Sequence, residues 1–141
     1  MLKTSQPILL VESNQTDQVN IKNALFAIDE KCTLVCSNSS EEALTYLREP
    51  DKSRPWLILL GMNANDSDGF SFLKTVKTDE HLRKIPVVVI SESGDGKNLE
   101  KGFNHGIAGF MIKHRDVSKV SGTIEAIMRY WSLSKLPLSG V

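Results

Sequence analysis

Two short runs with apolar side chains at every position restrict the possible folds of this chain more than any other feature. They are Trp56–Leu60 (Trp-Leu-Ile-Leu-Leu) and Pro86–Ile90 (Pro-Val-Val-Val-Ile). A strand with one wet face alternates apolar and polar residues, so a strand apolar at every position has to be covered on both faces. The first run breaks at Gly61, passes through the polar stretch Met62–Ser67, and meets Asp68-Gly69-Phe70, where Phe70, Leu73 and Val76 follow helical spacing. The second run empties into the turn-forming stretch Ser91-Glu-Ser-Gly-Asp-Gly96.

The remaining segments repeat this strand-then-helix alternation. Pro7–Val11 is an apolar run ending in Glu12, followed by Ile21, Ala24, Leu25 and Ile28 at helical spacing with Asn14 or Thr16 as the cap. Cys32–Cys36 reads as a short second strand. Ser39-x-x-Glu42 is a capping-box pattern ahead of Ala43, Leu44 and Leu47, which carries a second helix to about Glu49. Beyond the charged linker Thr78–Lys84, the pattern predicts a short helix over Leu99–Asn104 closed by Gly106, and a fifth strand over Gly109–Ile112 ending at Lys113. From Asp116 a last helix carries Val117, Val120, Ile124, Ile127, Met128 and Trp131 along one face. There is no internal repeat.

Parallel strands need crossovers, and strands buried on both faces need helices on both sides. The pattern therefore predicts an α/β, doubly wound, five-stranded parallel sheet in one domain over residues 1–131, with an extended tail over 132–141 containing Pro137 and Gly140. Periodicity leaves the strand order open. In such sheets the chemistry sits in the loops beyond the carboxyl ends of the strands.

Composition excludes several classes. Lys+Arg and Asp+Glu balance at 17 each, so no overall field draws the protein to nucleic acid or to an anionic membrane. Lys97, Lys101, Lys113, Arg115 and Lys119 outnumber the acids of their region and read as a solvated charged face. No apolar run approaches a membrane span and Met1–Gln6 lacks a signal peptide's hydrophobic region, so a cytoplasmic location is expected. On one strand Cys32 and Cys36 would lie roughly 13 Å apart, beyond disulfide reach. His81, His105 and His114 are scattered without metal-ligand spacing.

The residues at the predicted strand ends form a recognisable set: Glu12-Ser13, Gly61 with Asn63 two residues on, Asp68-Gly69-Phe70, Ser91, Phe110 and Lys113. In order and placement they resemble the response-regulator receiver (CheY-like, flavodoxin-like) family over roughly Pro7–Trp131. The resemblance implies strand order 2-1-3-4-5 and a site over strands one and three. It implies that Glu12 and Ser13 match the acidic magnesium-holding residues, and that Gly61 stands where the family carries its phosphoacceptor aspartate. Asn63 matches the main-chain metal ligand, Ser91 the phosphoryl-binding hydroxyl, Phe110 the reorienting aromatic and Lys113 the phosphate-binding lysine. His114 replaces the family's proline, whose bond to the lysine is typically cis. A cis bond costs about 2.5–4 kcal/mol without proline, so a trans Lys113–His114 bond is expected.

Glycine offers no carboxylate nucleophile, so an acyl phosphate at the usual place is excluded. With Glu12 as the one remaining acid, no cofactor is expected and Mg²⁺ should bind weakly at most. Lys113 keeps Glu12 as its one obvious partner, and Asp66 and Asp68 are the nearby carboxylates that could substitute as acceptors. Asp68 is expected to cap the third helix, with Asp66 facing solvent. Taken singly, Glu12 also reads as a solvated strand-end acid, Ser91 as a turn residue and Phe110 as a core aromatic.

The segments Lys77-Thr-Asp-Glu-His-Leu-Arg-Lys-Ile-Pro86 and Tyr130-Trp-Ser-Leu-Ser-Lys-Leu-Pro137 resemble single-domain receivers of the phytochrome-associated type. The expectation is a stand-alone pseudo-receiver of a two-component or phosphorelay system, not an enzyme, that works by protein binding. Its partners would be signalling proteins such as a histidine kinase or a downstream effector. Residues 99–131 and the tail would form a docking or homodimer face, without direct nucleic-acid or membrane contact. The alternatives are a receiver still phosphorylated at Asp66, Asp68 or a serine, and a flavin-binding flavodoxin-like protein. The last is disfavoured because Ser13-Asn-Gln-Thr16 has no glycine for a phosphate-cradling loop.

Overall fold

Five parallel strands form one sheet in the order β2-β1-β3-β4-β5. The strands are β1 (Ile8–Val11), β2 (Leu34–Ser37), β3 (Leu57–Met62), β4 (Val87–Ser91) and β5 (Gly109–Ile112). They alternate with α1 (Gln15–Ile28), α2 (Ser40–Arg48), α3 (Ser67–Thr78), α4 (Gly96–Asn104) and α5 (Val117–Leu133). This computed structural model describes residues 6–63, 66–92 and 96–137. Most of the turn expected after Ser91 therefore lies outside the described residues, as does the end of the tail.

Alternate residues of the apolar strands feed two cores. Leu9, Val11, Ile58, Leu60, Val87 and Val89 join Phe70, Phe72, Leu73 and Val76 of α3 on one face. Ile8, Leu10, Leu57, Leu59, Val88 and Ile90 join Ile21, Ala24 and Leu25 of α1 and Ile124, Ile127 and Met128 of α5 on the other. Period-two alternation places these neighbours on opposite faces, so no position of β3 before its end is free for a polar side chain.

Several local expectations change. The central strand does not break at Gly61 but continues through Met62, because both residues keep register with β4, Gly61 opposite Ile90 and Met62 opposite Ser91. The second strand begins at Leu34 rather than Cys32. Cys32 is buried beside it, and burial together with the Asp29 carboxylate pushes its thiol up to about 11. Both cysteines are free.

The helices also shift. Asn14, not Thr16, caps α1 by accepting the Asp17 N–H at 3.0 Å, and Ser39 caps α2 through the Glu42 N–H at 3.1 Å. The cap of α3 is Asp66, not Asp68: its Oδ1 accepts the Gly69 N–H at 2.8 Å and its Oδ2 the Asn63 N–H at 3.2 Å. Asp68 lies inside the first turn and is exposed. The fourth helix starts at Gly96, three residues before Leu99. Val117, expected on the apolar face of α5, is 56% exposed. That helix runs on through Leu133, so Ser132 and Leu133 belong to it rather than to the tail. Leu136 packs back against the α1–α5 core.

Candidate functional site at the carboxyl rim of the sheet

The register fixes which residues meet at the rim. Val11 lies opposite Leu60, so the next residues along each strand, Glu12 and Gly61, adjoin. Glu12 is 2% exposed, an unusual place for a carboxylate unless it is paired. Its backbone N–H donates to the Ser37 carbonyl at 3.0 Å, extending the β1–β2 ladder by one residue. Its Oε2 accepts the Asn14 N–H at 3.0 Å, and its Oε1 lies 2.9 Å from Lys113 Nζ. The strand-end acid is therefore not solvated.

Lys113 reaches the rim from the far side. Its backbone N–H donates to the Ser91 carbonyl at 2.7 Å, prolonging the β4–β5 ladder, and its side chain is only 8% exposed. Besides Glu12, Nζ lies 3.2 Å from Asp17 Oδ2 in the first turn of α1. Burial pushes the ammonium's pKa down, but hydrogen bonding and attraction from Glu12, then Asp17, outweigh it, and the net direction is upward. Asp17 escaped sequence reasoning. As an acid in the first helical turn it looks like a generic dipole partner, and nothing local says that it aims across the rim at β5. Two carboxylates thus offset one buried ammonium, where the sequence offered Glu12 as its one obvious partner.

Gly61 shows why the pair fits. A Cβ added there would overlap Glu12 Oε1, approach Glu12 Cδ to 2.8 Å and come within 3.2 Å of the Val11 carbonyl oxygen. The volume that a side chain at position 61 would enter is filled by the Glu12 carboxylate. A side chain here would have to displace the Glu12 carboxylate, so the constraint at position 61 is one of space, not of backbone conformation.

The other residues singled out are placed as follows. Ser91 is buried at 1% exposure where β4 ends, and Phe110 is half-buried against the α3-side core, opposite Val89. Ser13 and Asn63 are exposed, and Asp66 is committed to its cap. No cis peptide bond occurs among the described residues, so the Lys113–His114 bond is trans. Among the described residues no group of three or more His, Cys, Asp or Glu side chains is arranged to hold a metal ion. The buried acid at the rim, Glu12, has its charge paired with Lys113.

A five-stranded parallel sheet of order 2-1-3-4-5 with its polar residues gathered over β1, β3 and β5 is the plan of a receiver. The family model of the response regulator receiver domain matches residues 8–125, and the chain belongs to that family. Among its relatives is the probable methanogenesis regulatory protein FilR2 of Methanothrix harundinacea, 30% identical over 127 residues, covering 88% of this chain and 82% of that protein. The response regulator Rcp1 of Synechocystis is 25% identical over 128 residues, covering 88% and 87% of the two chains. Among solved structures, the phosphorylated cyanobacterial phytochrome response regulator RcpA superimposes with a TM-score of 0.86 at 31% identity, covering 94% of this chain and 98% of that one. The Mn²⁺-bound form of Rcp1 gives 0.84 at 25% identity, covering 94% and 99%. The chain is a receiver of two-component signalling. Among the described residues no helix is long and apolar enough to cross a membrane.

Proposed function

We propose that this receiver is a pseudo-receiver: it carries a signal by binding other proteins, without being switched by an aspartyl phosphate and without catalysis of its own. The observation that supports this is Gly61. At the end of β3, where the family resemblance expects the phosphoacceptor, there is no side chain, and the Glu12 carboxylate fills the space instead. Acyl phosphate formation needs an accessible carboxylate nucleophile. Glu12 Oε1 has no exposed surface and is paired with Lys113, while both oxygens of Asp66 accept backbone N–H groups. Ser13 stands in place of a second strand-end acid, and the Glu12 and Asp17 carboxylates are both paired with Lys113, so Mg²⁺ or Mn²⁺ plays no resident part.

Binding would use α4, β5 and α5, with the end of α5 as a homodimer or docking edge. These elements expose Leu99, Phe103, Ile112, Val117, Tyr130 and Leu133, more apolar surface than a helix-flanked strand needs for its own core. A histidine kinase or a downstream effector of a two-component pathway is the partner class that fits. Exchanging Lys101 and Lys119 together for glutamate is expected to weaken that association, and unchanged partner binding and dimer mass would count against the face. Phosphorylation is tested by intact-protein mass after incubation with Mg²⁺ and a small acyl-phosphate donor. The wild type is expected to stay unmodified; a gain of one phosphoryl group, mapped to Asp66, Asp68 or a serine, overturns the reading.

A further inference from the structure

We infer that Glu12 is an internal substitute for the side chain missing at position 61, and that with Lys113 and Asp17 it forms a self-satisfied ion cluster that keeps the rim in one arrangement without phosphate or metal. The inference deepens the pseudo-receiver reading and rests on it. Three independent features carry it. The first is space: the Glu12 carboxylate lies where a position-61 side chain would begin, overlapping a Cβ built on Gly61. The second is charge. Lys113 Nζ meets Glu12 at 2.9 Å and Asp17 at 3.2 Å, so its positive charge is offset from inside the chain. The third is burial. Glu12 Oε1 and Lys113 Nζ have no solvent-accessible surface, and each lacks a hydrogen-bond partner beyond the ion pairs.

A relic of a lost phosphate site would behave differently. A lysine left without its partner would turn outward to water, and a strand-end glutamate would do the same, because burying either charge alone is costly. Here both are buried and meet each other, and the Glu12 carboxylate lies in the volume that Gly61 leaves open. The cluster also ties three elements together: Glu12 follows β1, Asp17 lies on α1, and Lys113 follows β5 and precedes α5. Glu12 and Asp17 thus act as positioning residues for Lys113, holding the β5–α5 segment against β1 and α1. The proposed partner face is consequently presented in a fixed shape.

The test is a stability cycle on the full chain, with urea midpoints measured for wild type, Gly61→Ala, Glu12→Asp and the double variant. Shortening Glu12 by one methylene keeps the charge while withdrawing it from the space beside residue 61. Gly61→Ala is expected to lower the midpoint clearly in the wild-type background and to have less than half that effect beside Glu12→Asp. Equal losses in both backgrounds overturn the inference. Should Gly61→Ala alone fail to fold, recovery of a cooperative transition in the double variant supports it and continued failure contradicts it. The amide resonances of Asp17 and Lys113 supply a second readout: both should shift in Glu12→Gln, whereas unmoved resonances overturn the cluster. No phosphodonor enters either measurement, so failure here is distinct from failure of the pseudo-receiver reading, which shows only as phosphorylation of the wild type.

Discussion

Leu59 and Gly61 stand two residues apart on β3, yet their neighbours are of different kinds. Leu59 is fully buried among aliphatic side chains from the sheet, α1 and α5, and many other positions repeat its contribution. At Gly61 the space for a side chain is taken mainly by the end of the Glu12 side chain, which is in turn paired with one lysine. The interior of the sheet is redundant and non-directional; its carboxyl rim depends on a few charges that are correct only together. Burial drives the first by area removed from water, whereas the second exists because each charge offsets the desolvation of another.

The largest expected effect separates these two regimes. Lys113→Met leaves Glu12 buried and unpaired and is expected to cost about 3–5 kcal/mol in urea unfolding. Replacing both partners, Glu12→Met with Lys113→Met, should recover most of that loss, because two apolar side chains need no offsetting charge. If the double variant is as unstable as the single one, the rim is not a paired-charge unit. Leu59→Ala, by contrast, should cost about 2–5 kcal/mol with no single compensating change, since it removes contacts to several side chains at once.

Smaller effects sharpen the contrast. Asp66→Ala removes the cap of α3 and should cost about 1 kcal/mol, with Asp68→Ala nearly silent, in thermal unfolding. That difference separates the two acids of the loop. Acidity adds a further check. The raised pKa of Lys113 means that the folded protein holds this proton more tightly than the unfolded chain does. Its contribution is therefore complete below the ordinary lysine value of 10.5 and is lost as pH rises through the higher folded value. Unfolding midpoints should fall more steeply, as pH rises from 10.5 through the folded value, in the wild type than in the joint Glu12→Met, Lys113→Met variant. Parallel slopes would remove Lys113 from the account.

What the sequence makes legible follows the same division. Trp56–Leu60 and Pro86–Ile90 announce a doubly covered sheet because every position repeats the message. Periodicity therefore suffices for strand and helix identity and for most of the core. Strand order comes from the family resemblance, since periodicity carries no information on which strands pair. At the rim, Glu12, Gly61 and Lys113 are recognisable by position, but the occupation of the Gly61 space by Glu12 is a three-dimensional fact. Asp17 is invisible for the same reason: its partner lies four strands further along the chain. Asp66 and Asp68 are both short acids at a helix start, and only backbone geometry decides which one caps. Val117 follows helical spacing, but the helix begins beyond the edge of the core, so periodicity overstates its burial.

The central claim is that the rim is closed from within, and its most direct test is a titration of the isotope-labelled protein, first with Mg²⁺ and then with Mg²⁺ and beryllofluoride, a phosphoryl analogue. The backbone amides of Glu12, Asn14, Gly61, Ser91 and Lys113 report on the site. The account predicts that these resonances stay in place at millimolar Mg²⁺ and on addition of the analogue. Saturable shifts centred on Glu12, Gly61 and Lys113 would show a cation or phosphoryl group displacing the internal ion pairs, and would contradict it.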